Sequence, residues 1–339
     1  MNSYQRIDPK RVPKRKLYSG DEIPAIGMGT FGSDRFTAEQ VSNAVYGAAK
    51  IGYRLFDCAS VYENQALIGD VLKKIQLEGI ERKELFIQSK VWNDMHGPGD
   101  VLLSVAQTLK DLKLDYLDMV FLHWPFRNYH DPGCDTNYRN KKSHAYIHEE
   151  FMETWFQLEH LYRIGIVRNI GTSNMTVAKM KLLLRDCTVK PMANEMELHP
   201  CFQQNELFKF CIENNIQPIG FSPIGSPTRP DRDKSENDFV DIEDPIVVQI
   251  AINHKIHPAN VCINWAVQRG QIPIPFSVKE LEYYNNLKYA VEELLSPEEM
   301  EMIKQSDKNC RLIKGQVFLW NEADDWHILW DEDEVIRDK

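Results

Sequence analysis

At 339 residues, with 43% hydrophobic, 27% charged and 10% aromatic residues, the chain has the composition of a soluble globular protein, which excludes a disordered or fibrous one. Its 40 Lys and Arg against 50 Asp and Glu leave a formal charge of −10, which disfavours a phosphate-backbone partner, so no nucleic acid ligand is expected. No apolar run approaches the roughly 18 to 20 residues that span a bilayer, and the N-terminal segment is too polar for a signal-peptide core. Seven scattered cysteines without a C-x-x-C pair suit reduced thiols, so a cytoplasmic protein with no membrane partner and no disulfide framework is expected.

In chain order, a hairpin is expected over 14–24, with arms at 14–17 and 22–24 turned by Ser19-Gly20-Asp21. Short β-rich runs follow at 25–29, 53–57, 85–91, 119–124, 167–171, 192–197, 216–221 and 272–275. Amphipathic helical patterns separate them, over 37–51 with Thr37 as N-cap, 64–77, 100–113, 149–164, 177–185, 205–214, 244–254 and 258–269. Eight such units imply parallel strands with right-handed crossovers, and eight strands close an α/β barrel of the (β/α)8 TIM type. One domain over 1–339 is expected. A doubly wound sheet with a second domain is the rival, and it would want a Gly/Ser- or Pro-rich linker that the chain lacks. Segments 125–148, 223–243 and 307–339 fall outside the rhythm and are expected at the C-terminal mouth of the barrel. The last carries Trp320, Trp326 and Trp330, so it should pack on something.

Asp57, Lys90 and His123 stand at or just past the ends of three successive predicted strands, and Tyr62 follows closely on Asp57. Loops at that end of a barrel converge on one pocket, so these four side chains should meet. A phenol titrates near pH 10 and is a poor acid–base catalyst unless a cation lowers its pKa. Lys90 would supply the cation, Asp57 would hold and aim it, and His123 would orient a carbonyl or hydroxyl. One Lys or His beside an apolar strand is more often a surface or satisfied core residue; four at neighbouring strand ends argue for a site.

The stretch from Gly52 to Gly69, with Asp57 and Tyr62, resembles the signature of the aldo-keto reductases. It is joined by Ile87-Gln-Ser-Lys90-Val-Trp, Leu117-Asp-Met-Val-Phe-Leu-His123-Trp-Pro, Ile170-Gly-Thr-Ser-Asn174, Glu197-Leu-His-Pro200 and Phe221-Ser-Pro-Ile-Gly-Ser-Pro227, in the family's order and spacing. The resemblance implies a barrel that binds an extended nicotinamide cofactor without a Rossmann domain, consistent with the lack of a G-x-G-x-x-G motif. It implies Tyr62 as general acid for carbonyl reduction and base for alcohol oxidation, tuned by Lys90 and Asp57, with His123 positioning the substrate and no metal taking part. It further implies cofactor contacts from Gly29, Thr30, Phe31 and Asp57, a carboxamide site at Ser173 and Asn174, and a pyrophosphate loop with Ser222, Ile224, Gly225 and Ser226. Ser277, Val278 and Asn286 fall at the adenosine end.

Four positions depart from the family pattern. Phe221 replaces a stacking Tyr and keeps the aromatic face, while Glu195 replaces a carboxamide-binding Gln and, if ionised, would favour the oxidised cofactor. Phe276 replaces a Lys and Glu282 an Arg, both of which grip the 2′-phosphate of NADP, so NAD(H) is expected to bind ahead of NADP(H). Lys279 is the cation that a small loop shift would bring to a 2′-phosphate, which keeps an NADPH-dependent carbonyl reductase as the alternative.

Phe31, Tyr62, Trp92, His123 and Trp124 match positions that line the family's substrate pocket, and aromatic walls suit apolar carbonyls and the C–H faces of sugars. The expected partner is a small carbonyl or alcohol, with a sugar or polyol ranked ahead of a hydrophobic ketone; a monomer or small homo-oligomer is expected. His130, Cys134, His144 and His148 share one loop at spacings that match no familiar metal pattern. Competing readings are a cofactor-binding regulatory subunit on the same fold, which the intact Tyr62 set argues against, and a metal-dependent barrel hydrolase, which lacks a ligand cluster.

Overall fold

The computed structural model describes residues 4–32, 35–130, 134–229, 231–332 and 335–336; the other positions of the expected domain, including 131–133 and 230 of the two long loops and 333–334 and 337–339 of the tail, lie outside the described residues. Strands β1 (Lys14–Lys16) and β2 (Glu22–Pro24) pair antiparallel, with Lys14 opposite Pro24. Their turn is tied to the N-terminal ends of the barrel strands, where the Ser19 hydroxyl donates to Asn169 Oδ1 at 2.6 Å.

Eight parallel strands follow in chain order: β3 (Met28–Gly29), β4 (Leu55–Asp57), β5 (Phe86–Val91), β6 (Met119–Leu122), β7 (Ile170–Ser173), β8 (Ala193–Glu197), β9 (Gln217–Phe221) and β10 (Ile272–Pro273). The backbone N–H groups of Gly27 and Gly29 donate to the carbonyls of Pro273 and Pro275, both at 3.0 Å, and so join the first strand to the last. The fold is a (β/α)8 barrel with an N-terminal hairpin. Its strands are buried on both faces; β6 reads as a continuous apolar run, whereas β5 and β8 carry buried polar residues, among them Gln88, Lys90 and Glu195. Gly171 keeps the interior closed: a Cβ there would lie 2.4 Å from the Phe121 ring.

Helices α1 (Ala38–Ile51), α2 (Gln65–Leu77), α3 (Asp100–Leu112), α4 (His148–Arg163), α5 (Val177–Asp186), α6 (Asn205–Glu213), α7 (Pro245–His254), α8 (Pro258–Arg269) and α9 (Glu280–Ala290) surround the strands, followed by α10 (Pro297–Lys304). In α1 the apolar stripe Val41, Ala44, Val45 and Ala48 is buried, and Thr37 forms a capping box with Gln40. Helices α9 and α10 lie beyond the eight periodic patterns, although Ser296 and Glu299 form a legible capping box for the second.

Strand β7 begins three residues later than the pattern suggests. Val167 makes only an isolated bridge to Leu117, although Arg168 N–H donates to the Leu117 carbonyl and the Asn169 carbonyl accepts from Val120 N–H; the buried Asn169 side chain also donates to Asp21 Oδ2 at 2.8 Å and the Asp118 carbonyl at 2.9 Å, tying this stretch to the hairpin. The tail packs as expected: Phe318, Leu319, Trp320, Ala323, Leu329 and Trp330 form an apolar cluster with Trp124, Phe126 and Ala145. No helix among the described residues is long and apolar enough to cross a membrane. Among the described residues, which include all seven cysteines, no disulfide is formed.

Candidate active site

Asp57 ends β4, Lys90 lies near the end of β5, and His123 directly follows β6, so the barrel's parallel register brings them to one face. Lys90 Nζ donates to Asp57 Oδ1 at 2.5 Å and to the Cys58 carbonyl at 3.3 Å. Tyr62 sits in a 3₁₀ turn just beyond β4; its ring centroid is 5.5 Å from Lys90 Nζ and 5.8 Å from the His123 ring. The four side chains expected to meet do meet.

Burial raises the Tyr62 phenol above its ordinary value; Lys90 pulls it down, while Asp57 and Glu195 push it up. The expected cation is therefore present, but in the protein alone desolvation outweighs it. Burial would lower the Lys90 ammonium, yet the Asp57 carboxylate, joined by Glu195 when that is ionised, raises it and holds it charged. Burial and then the Lys90 charge drive His123 well below its usual range, so the imidazole is neutral.

Glu195 differs most from expectation. Its carboxyl is directed to Lys90, with Oε1 3.2 Å from Nζ, while Oε2 accepts from Gln88 Nε2 at 3.3 Å. Burial and the neighbouring Asp57 push it up to about 8, against the pull of Lys90. The ionised Glu195 on which a bias to the oxidised cofactor depended is thus disfavoured at neutral pH, because two carboxylates face one ammonium in a dry site. Gln88, which sequence reading missed, also donates to Asp57 Oδ1 at 2.9 Å. Its only sequence signal was a polar residue inside an apolar strand.

Aromatic side chains wall the approach to Tyr62. The Phe31 ring is 5.2 Å from Tyr62 and nearly half exposed, and Trp92 is 4.9 Å from His123. Phe318 of the tail, also missed, lies 5.9 Å from Trp92 and 5.0 Å from His130. Trp124 is buried and packs at 4.2 Å on Phe318 and 5.4 Å on Trp330, so it supports the wall from behind. The loop residues considered for a metal face different partners: His148 Nε2 meets Asp186 at 2.7 Å, and His144 Nε2 lies 3.4 Å from Glu150.

The residues expected to contact an extended cofactor follow the strand ends from β3 to β9 and continue to α9. Thr30 donates to the Asp57 carbonyl at 2.8 Å, and a Cβ on Gly29 would stand 3.0 Å from the Ile274 carbonyl. Ser173 and Asn174 are buried at the end of β7; Asn174 Nδ2 donates to the His123 carbonyl at 2.9 Å, while its Oδ1 is buried without a partner. Gln88 Oε1 and His123 Nδ1 are likewise buried and unpartnered. Phe221 ends β9 half-buried. Ser222, Gly225 and Ser226 all have positive φ, and a Cβ on Gly225 would meet Asp241 Oδ2 at 2.0 Å. A loop bent this tightly suits phosphate held by backbone N–H groups, and the unpartnered amide oxygen suits a carboxamide, so these residues fit a nicotinamide dinucleotide. Ile224 packs beneath the loop against the core.

At the far end Phe276 packs on Phe36 at 5.9 Å. Glu282 accepts from the Ser277 hydroxyl at 2.7 Å and pairs with Lys279 at 2.9 Å. Val278 is half-buried against the core, and Asn286 accepts from Asn260 Nδ2 at 3.4 Å. Arg35, after β3, donates to Thr228 Oγ1 and straps the 223–243 loop.

A closed parallel barrel with a phenol, an ammonium, a carboxylate and a neutral imidazole at its C-terminal strand ends has the arrangement of an acid–base enzyme site, beside residues that fit a nicotinamide dinucleotide. The chain belongs to the aldo/keto reductase family, whose sequence profile matches residues 25–308 and whose members carry out nicotinamide-dependent carbonyl reduction. It is 34% identical over 337 residues to an aldo/keto reductase of Synechocystis, covering 98% of this chain and 100% of that one. It is 36% identical to aldo-keto reductase family 1 member A1 of Homo sapiens over 300 residues, covering 88% and 90% of the two chains. The crystal structure of Bombyx mori aldo-keto reductase in complex with NADP matches with a TM-score of 0.78 at 27% identity, covering 92% of this chain and 96% of that one.

Proposed function

We propose that the protein interconverts a small aldehyde or ketone and the corresponding alcohol, with NAD(H) preferred over NADP(H) and Tyr62 as the acid–base group. The bound nicotinamide would supply or accept the hydride. Tyr62 gives its proton to the carbonyl oxygen in reduction and, as phenolate, takes it from the hydroxyl in oxidation. Lys90, held charged by Asp57, stabilises that phenolate. His123, kept neutral by burial and by Lys90, orients the substrate oxygen by hydrogen bonding without adding a charge. Phe31, Trp92 and Phe318 exclude water and favour a substrate with an apolar or C–H-rich face, including a sugar or polyol.

Ser173 and Asn174 would hold the carboxamide, Phe221 would stack on the ring, and the loop at Ser222 to Ser226 would hold the pyrophosphate. The observation that carries the acid–base reading is the buried Asp57–Lys90 pair beside Tyr62. The NAD preference rests on Glu282, whose carboxylate is tied to Ser277 and Lys279 and would repel a 2′-phosphate dianion. The Bombyx relative was crystallised with NADP, so the cofactor choice must be read from this chain's own residues. Side-by-side quench titration of the tryptophans with NADH and NADPH, followed by turnover of an aldehyde and sugar panel, tests both. Tighter NADH with Tyr62-dependent turnover is the expected result; tighter NADPH overturns the cofactor preference, and turnover unaffected by Tyr62→Phe overturns the mechanism.

A further inference from the structure

Behind Tyr62, one ammonium faces two carboxyl groups. Asp57 comes from β4, Lys90 and Gln88 from β5, and Glu195 from β8, and none is more than 2% exposed. Gln88 spans the two carboxyls through one amide nitrogen, fixing the angle at which both approach Lys90. The residues in register with Glu195 on the flanking strands, Ser173 and Ile219, are not ionisable. The titratable groups facing it are therefore Asp57, Lys90 and Tyr62. With both carboxyls ionised the cluster carries a net negative charge in a dry interior; with one proton on it the cluster is neutral.

We propose that Glu195 is a positioning residue for Lys90, and that the proton on its carboxyl sets the charge of the cluster and hence how readily Tyr62 releases its own proton. With Glu195 protonated, Lys90 is balanced by Asp57 alone and its field favours the Tyr62 phenolate. When Glu195 loses that proton to solvent, a second carboxylate opposes the phenolate and Tyr62 is held as the phenol. Reduction needs the phenol and oxidation the phenolate, so ionisation of Glu195 sustains reduction and restrains oxidation as the pH rises. This rests on the reading of Tyr62 as acid–base group, and it reverses the redox bias that a permanently ionised Glu195 would impose.

The test compares the wild-type protein with Glu195→Gln, which keeps the shape and removes the proton. The first readout is the melting temperature without cofactor from about pH 5 to about pH 8. A carboxyl whose folded pKa lies above its unfolded value binds more protons in the folded state, so its contribution falls as the pH rises through that interval. The expected result is a stability advantage of Glu195→Gln that widens with pH. The second readout is the pH profile of kcat/KM in both directions. In the variant the alkaline rise of oxidation should move down by about one pH unit, a tenfold gain at a fixed pH below the plateau, while reduction should fall away at correspondingly lower pH. A stability gap that does not change with pH, or superimposable pH profiles in two active enzymes, overturns the proposal. No turnover from either protein, with the widening gap intact, supports the proton on Glu195 and instead overturns the acid–base reading of Tyr62.

Discussion

The Lys279 ammonium lies 2.9 Å from one oxygen of the Glu282 carboxylate, whose other oxygen accepts from Ser277 at 2.7 Å. The cation nearest to hand for a 2′-phosphate is thereby paired with the residue that would repel one. Phe276→Lys with Glu282→Arg should therefore shift preference towards NADPH by roughly 10²- to 10⁴-fold, since each charge-assisted phosphate contact is worth roughly 1.5 to 3 kcal/mol. Glu282→Gln alone, which releases Lys279, should tighten NADPH by roughly tenfold. Parallel quench titrations at fixed ionic strength measure both, and an unchanged NADH/NADPH ratio in the double variant would place the adenosine end elsewhere.

Tyr62→Phe removes the proton donor and keeps the ring against Phe31. It should lower kcat by roughly 10²- to 10⁴-fold while leaving the dissociation constant for NADH unchanged. Single-turnover kinetics beside binding titrations separate the two effects; retention of most of kcat would sink the assignment.

His199 bridges three parts of the rim. Its Nδ1 meets Asp241 of the 223–243 loop at 2.9 Å and its Nε2 meets Glu197 at 3.0 Å, while Glu197 accepts the Leu312 and Ile313 N–H groups of the tail at 2.8 and 3.0 Å. Burial alone would lower the imidazole, but Asp241 and Glu197 raise it to about 9. A raised folded pKa contributes stability that is complete below the unfolded value near 6.5 and is lost as the pH climbs through about 9. The loss should be on the order of 3 kcal/mol and absent in His199→Asn. Urea unfolding of both proteins across that interval measures it, and parallel stability curves would refute it.

The tail is latched by Asp331, which pairs with the buried Lys179 and accepts from Thr176 Oγ1 at 2.5 Å. Lys179 also donates to the Leu329 carbonyl at 3.0 Å. Asp331→Ala leaves a buried ammonium without its counter-charge, a cost of roughly 3 to 5 kcal/mol that releasing the tail relieves. Limited proteolysis should then cut after α10, and KM should rise more than kcat falls because Phe318 leaves the pocket wall. A protease-resistant variant with an unchanged KM would show that the latch does not hold the tail.

Much of this protein could be read from its residues in order. Eight alternations of short apolar runs with amphipathic stretches determined a parallel barrel, because strands buried on both faces and helices buried on one leave different periods in the chain. The spacing of Asp57, Tyr62, Lys90 and His123 determined a shared site, since parallel strands in a barrel deliver their C-terminal ends to one rim. The offset in β7 was not legible: residues 166–169 still exchange backbone hydrogen bonds with 117–120, while the Asn169 side chain is held by Asp21 and Asp118. Phe318 was not legible either: an apolar residue in a tail carries no mark of what it will face. Glu195 shows the division most sharply. Its identity was written in the sequence, but the upward push on its carboxyl comes from burial and from Asp57, against the pull of Lys90, and both groups reach it from strands more than a hundred positions away. Charge in a dry interior depends on which groups are brought within a few ångströms, and only the closed tertiary structure determines that.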